Sequence, residues 1–225
     1  MILVVFDCDG TLVDSQYVIT AAMAGAFARH GRPHPRREDV RRVVGLSLDV
    51  AVERLLPDAM PSEVASLAEA YKAEFQTLRQ RADHHEPLFP GIRATLEELS
   101  RAPDVVLGVA TGKSVRGVHS LLVRERLDGV FATIQTADTN PSKPHPAMLE
   151  AAMRDTGAAA GRTLMIGDTT FDMEMAISAG ARALGVGWGY HDVEELEDAG
   201  AHRIVTESPR LLEAVRAEFD LLMAA

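Results

Sequence analysis

Four short stretches of this chain gather acidic, hydroxyl and cationic residues at spacings that could do chemistry. In FDCDGT, Asp7 and Asp9 stand two apart, so in extended chain both point one way while Cys8 points the other. Neighbouring carboxylates repel, and a cation or a shared proton must resolve that. A divalent ion with hard oxygen ligands, magnesium above all, is the natural answer. One carboxylate is then available as a nucleophile and the other as a general acid and base. Gly10 and Thr11 complete a tight turn whose backbone N–H groups could cradle a phosphate. In ATGK, Thr111 offers a hydroxyl and Gly112 a close backbone approach at a helix start. In SKPHP, Lys143 supplies a point charge for transition-state stabilisation. In GDTTFD, Asp168 and Asp172 lie four apart at the opening of a helix, on one face, where they could hold a metal.

These residues need elements that bring them together. Residues 2–6 form an apolar, β-branched run that stops at Asp7, as a strand buried on both faces should read. A turn follows, and the apolar period becomes helical over 17–30. Further helices are predicted over 37–44, 48–56 and 61–81, with no strand signal among them. From residue 92 the pattern alternates: helix to 101, strand 105–110, helix 114–124, strand 132–135, helix 146–155, strand 163–166 and helix 171–179. Short strands over 183–186 and 203–205 precede a last helix from Pro209. Such alternation predicts an α/β fold with a doubly wound parallel sheet. Residues 1–15 and 89–225 make the core and 16–88 an inserted helical cap, joined by loops near 14–16 and 84–91. Ligands of these sheets bind beyond the carboxyl ends of the strands, where the first, second and fourth stretches fall, and the third precedes a later helix.

Composition narrows the possibilities further. With 225 residues, 47% hydrophobic and 25% charged, the chain is of the ordinary soluble globular kind. The net charge of -10 argues against general nucleic-acid binding, which draws on Lys and Arg. Residues 16–88 hold ten Lys/Arg and ten Asp/Glu, so the net charge falls on the core. No apolar run reaches the roughly 20 residues of a membrane helix, and the N-terminus lacks the pattern of a secretory signal. The lone Cys8 cannot form an internal disulfide. The expectation is a cytoplasmic protein, monomer or dimer, with no nucleic acid and no membrane; small anionic substrates remain possible, and together with the phosphate-holding motifs above they point to a small phosphorylated metabolite as partner.

The four motifs, in this order and spanning nearly the whole chain, resemble those of the haloacid dehalogenase superfamily of phosphatases. The resemblance implies that Asp7 is the nucleophile and that Asp9 is the acid/base, which also gives the metal a backbone oxygen. It implies too that Thr111 and Lys143 hold phosphate and that Asp168 and Asp172 anchor Mg2+. A helical insert directly after the first motif is similar to the cap of the subgroup that contains phosphoglycolate phosphatases. The implied activity is hydrolysis of a small phosphomonoester through a phospho-aspartyl intermediate. A sugar-phosphate mutase, an inorganic pyrophosphatase or a non-catalytic binding protein on the same scaffold stays open.

Other polar residues read more plainly. Lys113 reads as a solvated side chain, Cys8 as an inert core thiol, and His145 as a loop-packing residue. Trp188, Tyr190 and His191 read as packing near the last strands, and Asp192 as an N-cap. The cap carries Arg29, Arg32, Arg36, Arg37, Arg41 and Arg42 within fourteen residues. They form a solvated face, or else Arg41 and Arg42 face the cleft and pair with a second anionic group of the substrate. The loop over 44–47 is a further candidate to face the site.

Overall fold

A computed structural model describes residues 1–81 and 86–224. The chain opens with strand β1 (Ile2–Phe6), whose five side chains are all buried. Helices α1 (Gln16–Arg29), α2 (Arg37–Arg41), α3 (Leu48–Leu55) and α4 (Pro61–Arg79) follow without an intervening strand. Then come α5 (Ile92–Arg101), β2 (Val105–Thr111), α6 (Val115–Glu125), β3 (Thr133–Thr136), α7 (Ala147–Thr156) and β4 (Thr163–Gly167). The chain ends with α8 (Thr170–Ser178), β5 (Arg182–Val186), α9 (Val193–Asp198), β6 (Arg203–Val205) and α10 (Leu211–Ala224).

All six strands are parallel, in the order β3-β2-β1-β4-β5-β6. Strand order runs outward from β1 in one direction, then resumes on its other side at β4. The carboxyl ends of β1, β2 and β4 are therefore neighbours, which is what lets residues 7, 111 and 168 meet. Alternate side chains of β1 divide between two cores. Ile2, Val4 and Phe6 pack toward α5 and α6, whereas Leu3 and Val5 pack toward α7 and α8. This explains why the run is apolar at every position. No helix among the described residues is long and apolar enough to cross a membrane.

Helices α1 to α4 enclose a hydrophobic cluster of their own, built on Met23, Phe27, Val52, Val64 and Leu67, to which Tyr190 of the sheet side contributes. The expected helix over 37–44 stops at Arg41. Tight turns from Val43 N–H to the Val40 carbonyl and from Val44 N–H to the Arg41 carbonyl replace it and bring both valines to the cleft. Helix α9 was not expected, because its six residues are too short to show a period. Its signal is local: Asp192 and Glu195 form a capping box, so the N-cap expected at Asp192 does start a helix. Of the predicted linker over 84–91, His84 and His85 lie outside the described residues. Its remainder returns beside the first loop, with the Asp14 N–H donating to the Pro87 carbonyl (2.9 Å) and the Phe89 N–H to that of Leu12 (3.0 Å).

Candidate active site

Asp7 is the residue at which β1 delivers its charge, and it is fully buried. Its Oδ1 accepts the Cys8 N–H at 2.6 Å. Its Oδ2 has no hydrogen bond in the structure and lies 3.1 Å from the Lys143 ammonium. Burial pushes the carboxyl up to about 6, with Lys143 opposing the rise and Asp172 adding to it. Asp168 is raised well above its ordinary range by burial and by Asp7 and Asp172. Burying three acids together costs free energy unless cations answer them.

Lys143 is one such answer. It is buried and donates to Asp172 Oδ1 at 2.6 Å, and these two carboxylates outweigh burial to keep its ammonium charged. Asp172 in turn is locked by a capping box, its Oδ2 accepting the Thr169 N–H (3.1 Å) and hydroxyl (2.7 Å). Asp172 is itself fully buried. Asp168 accepts the Thr11 hydroxyl (2.6 Å) on Oδ1 and the Tyr190 N–H (2.9 Å) on Oδ2. One oxygen each from Asp7, Asp168 and Asp172 lie within 4.8 Å of one another. Three buried carboxylates with one lysine among them and an unbonded Asp7 Oδ2 suit a divalent cation with hard ligands.

Asp9 stands apart from that trio. Its Oδ1 accepts from the Lys113 ammonium at 2.7 Å. Lys113 also lies 3.2 Å from Glu86 Oε1 and beneath the Phe75 ring, 5.1 Å from its centroid. This corrects the reading of Lys113 as solvated: its side chain is 6% exposed. It also shows that two lysines, one per carboxylate, separate the charges of Asp7 and Asp9, where the sequence pointed to a metal alone.

The roles expected of Gly10 and Thr11 are overturned. The Gly10 N–H closes the turn onto the Val13 carbonyl (2.9 Å) and the Thr11 N–H onto that of Cys8 (3.3 Å), so neither is free for phosphate. A Cβ on Gly10 would meet Asp168 Oδ2 at 2.2 Å, and Thr11 spends its hydroxyl orienting Asp168. The segment around Trp188 does more than pack. Trp188 donates to the Thr11 carbonyl (3.2 Å), and the Tyr190 hydroxyl meets that of Ser15 at 3.2 Å, which brackets the loop behind Asp7. Cys8 points into the core, where burial raises its thiol, and His145 is exposed, accepting the Ala147 N–H, in keeping with loop packing.

Above these groups lies a cavity of about 550 Å³ between the sheet edge and α1 to α4. Asp7, Asp9, Thr111 and Gly112 line its floor, with Gly45, Leu46 and Ser47, as expected for that loop. Thr111 is buried, and its hydroxyl lowers Asp7. At Gly112 a Cβ would come 2.4 Å from the Leu46 carbonyl oxygen, so only glycine allows the loop to lie this close. Arg41 and Arg42 do not reach the cavity. Arg41 donates to the carbonyls of Gly189 (3.2 Å) and Tyr190 (3.3 Å), and Arg42 pairs with Glu195 and Asp192 on and beside α9. They fasten the end of α2 to the sheet side. Lys72, Arg79, Lys113, Arg116 and Arg124 line the cavity instead. Four of these have carboxylate partners, and Arg116 shows none among the described residues.

Buried acids gathered around one lysine on the floor of a cavity are costly to fold, and such groups in a cleft mark a functional site. Residues 4–186 match the haloacid dehalogenase-like hydrolases, and the chain belongs to that family. It is 35% identical over 223 residues to the probable phosphatase IndB of Dickeya dadantii, covering 97% of this chain and 95% of that one. It is 32% identical to a phosphoglycolate phosphatase of Pseudomonas syringae pv. tomato, over 93% of this chain and 78% of that one. The crystal structure of a hydrolase from Pseudomonas syringae superposes with a TM-score of 0.85 at 27% identity, over 96% of this chain and 99% of that one. The chain is a hydrolase of the phosphatase type.

Proposed function

We propose that the protein is a magnesium-dependent phosphatase of small phosphomonoesters, phosphoglycolate phosphatase-like, that works through a phosphorylated Asp7. The observation that carries this is Asp7 Oδ2: a buried carboxylate oxygen without a hydrogen bond, on the cavity floor, with Lys143 alongside. A nucleophile needs a lone pair that nothing else has taken. Asp7 attacks phosphorus and the bond to the alcohol oxygen breaks, while Asp9 gives that oxygen its proton. Asp9 then takes a proton from water as the water oxygen attacks phosphorus, which frees Asp7 and phosphate. Lys143 and the Thr111 hydroxyl hold the phosphoryl oxygens as charge builds.

Asp7, Asp168 and Asp172 would hold Mg2+, with the Asp9 backbone oxygen as a further ligand, and the bound ion would supply neutralising charge at the phosphate. Residues 16–88 form the cap domain, which opens and closes over the core and excludes bulk water when closed. Arg116, the cavity cation without a carboxylate, takes a second anionic group of the substrate, which favours esters such as phosphoglycolate. A cytoplasmic location completes the reading. A screen of phosphate esters with and without magnesium tests it. Magnesium-dependent release of phosphate that Asp7→Asn abolishes is the expected result, and undiminished release by that variant would end the proposal.

A further inference from the structure

Glu86 is a buried carboxylate that the chemistry above does not use. It sits where the chain returns from α4 to the sheet side, its side chain 1% exposed. Three cations converge on it: Arg79 of α4 at 2.8 Å and Arg124 of α6 at 3.2 Å on Oε2, and Lys113 at 3.2 Å on Oε1. Arg124 also donates to the Glu86 carbonyl at 2.7 Å. Lys113 passes the contact on to Asp9 at 2.7 Å. Asp9 and Glu86 are far apart in sequence, and Lys113 is the link between them.

A lysine is a compact charge on a flexible stem, and one carboxylate alone would let it follow any arriving phosphate. Glu86 on one side, Asp9 on the other and the Phe75 ring against it leave Lys113 a single placement. Its ammonium occupies Asp9 Oδ1, so Oδ2 is the oxygen left for the substrate. We propose that Glu86 is a positioning residue for the acid/base step, acting through Lys113 to fix the Asp9 carboxylate. The proposal rests on Asp9 being the acid that protonates the leaving alcohol.

Leaving-group dependence tests it, because an alkoxide needs that proton and p-nitrophenolate hardly does. The readout is kcat/KM for an alkyl phosphate divided by kcat/KM for p-nitrophenyl phosphate, which reports the step that expels the alcohol. General acid catalysis contributes on the order of 10²–10⁴, so Asp9→Asn should lower the ratio by at least about a hundredfold. Glu86→Gln should lower it by about tenfold, and Lys113→Met likewise. The double variant should fall no further than Lys113→Met alone, since both act on one group. Lys113→Arg should recover most of the loss. A merely structural role would lower both activities together and leave the ratio alone. If Asp9→Asn lowers the ratio and Glu86→Gln does not, the positioning role is wrong. If Asp9→Asn itself leaves the ratio unchanged, the acid assignment fails first and takes this proposal with it. Should Glu86→Gln not fold, Lys113→Met carries the same prediction with the same two outcomes.

Discussion

Neutralising Asp7 should make the metal-free protein more stable. Burial raises Asp7 from its ordinary 3.8 to about 6, more than Lys143 lowers it. A carboxyl whose pKa is higher folded than unfolded holds its proton better in the folded state. Stability is therefore lost as pH rises from the lower value through the higher, and stays lost above it. The gap corresponds to about 3 kcal/mol above pH 7 and about half that at pH 5. Asp7→Asn keeps the volume and removes the charge. In EDTA at pH 7.5 the variant should melt roughly 6–12 °C above the unsubstituted protein, at about 2–4 °C per kcal/mol for a chain of this size. At pH 5 the difference should shrink by about half, and saturating magnesium should narrow or reverse it, because the intact trio gains binding free energy that the variant lacks. Differential scanning calorimetry at two pH values, with chelator and with magnesium, measures all of this. A variant that melts no higher than the parent in EDTA at pH 7.5, or a difference that does not shrink toward pH 5, refutes the reasoning.

Arg41→Ala and Arg42→Ala should leave the KM of an ester bearing a second anion unchanged, while Arg116→Ala raises it up to about fivefold, the upper range of an exposed ion pair; steady-state kinetics on phosphoglycolate separates the three. Lys143→Met should cost roughly 10²–10³ in kcat, measured in single turnover, and a near-normal rate would remove it from the phosphoryl-holding group. Gly112→Ala places a methyl group 2.4 Å from the Leu46 carbonyl oxygen. It should lower kcat/KM by spoiling the seating of the cap, without moving the main thermal transition.

The strand end and turn that carry Asp7 and Asp9 were legible because their information is local: an apolar strand ends, two acids stand two apart, and a turn follows. The nearness of Asp168, Asp172 and Lys143 to Asp7 was legible because each sits in a motif whose spacing already places it near a strand end or a helix start. What stayed hidden depended on contacts between distant elements. Lys113 reads as solvent-facing until Asp9 and Glu86 are known to flank it, although its place two residues after Thr111 at a strand end was a usable hint. Glu86 lies in a linker with no period at all. The cap arginines misled for the opposite reason: their density is visible in the sequence, but which way a five-residue helix turns them is not. Arg116, a single cation in the first turn of α6, carries no such density. The N–H groups of Gly10 and Thr11 were offered to phosphate, yet a turn this tight uses them to close itself.

The pairing of acids and lysines sets Asp7 apart as the fully buried acid of the group with an oxygen left unbonded. Lys143 joins Asp7 to Asp172, and Lys113 joins Asp9 to Glu86. Each lysine thus ties one acid of the first loop to an acid from elsewhere, and the two acids of the loop share no cation. Asp172 has both oxygens engaged, by Lys143 and by Thr169, and Asp168 has both engaged by neutral donors, Thr11 and Tyr190. Asp9 gives one oxygen to Lys113. Asp7, held from behind by the Cys8 N–H, presents a buried Oδ2 without a hydrogen bond, 3.1 Å from the Lys143 ammonium. Fully ionised, Asp7, Asp168 and Asp172 against Lys143 would carry two negative charges in excess, the formal charge that one divalent cation matches. Without such a cation a phosphate dianion would meet repulsion at the floor of the cavity.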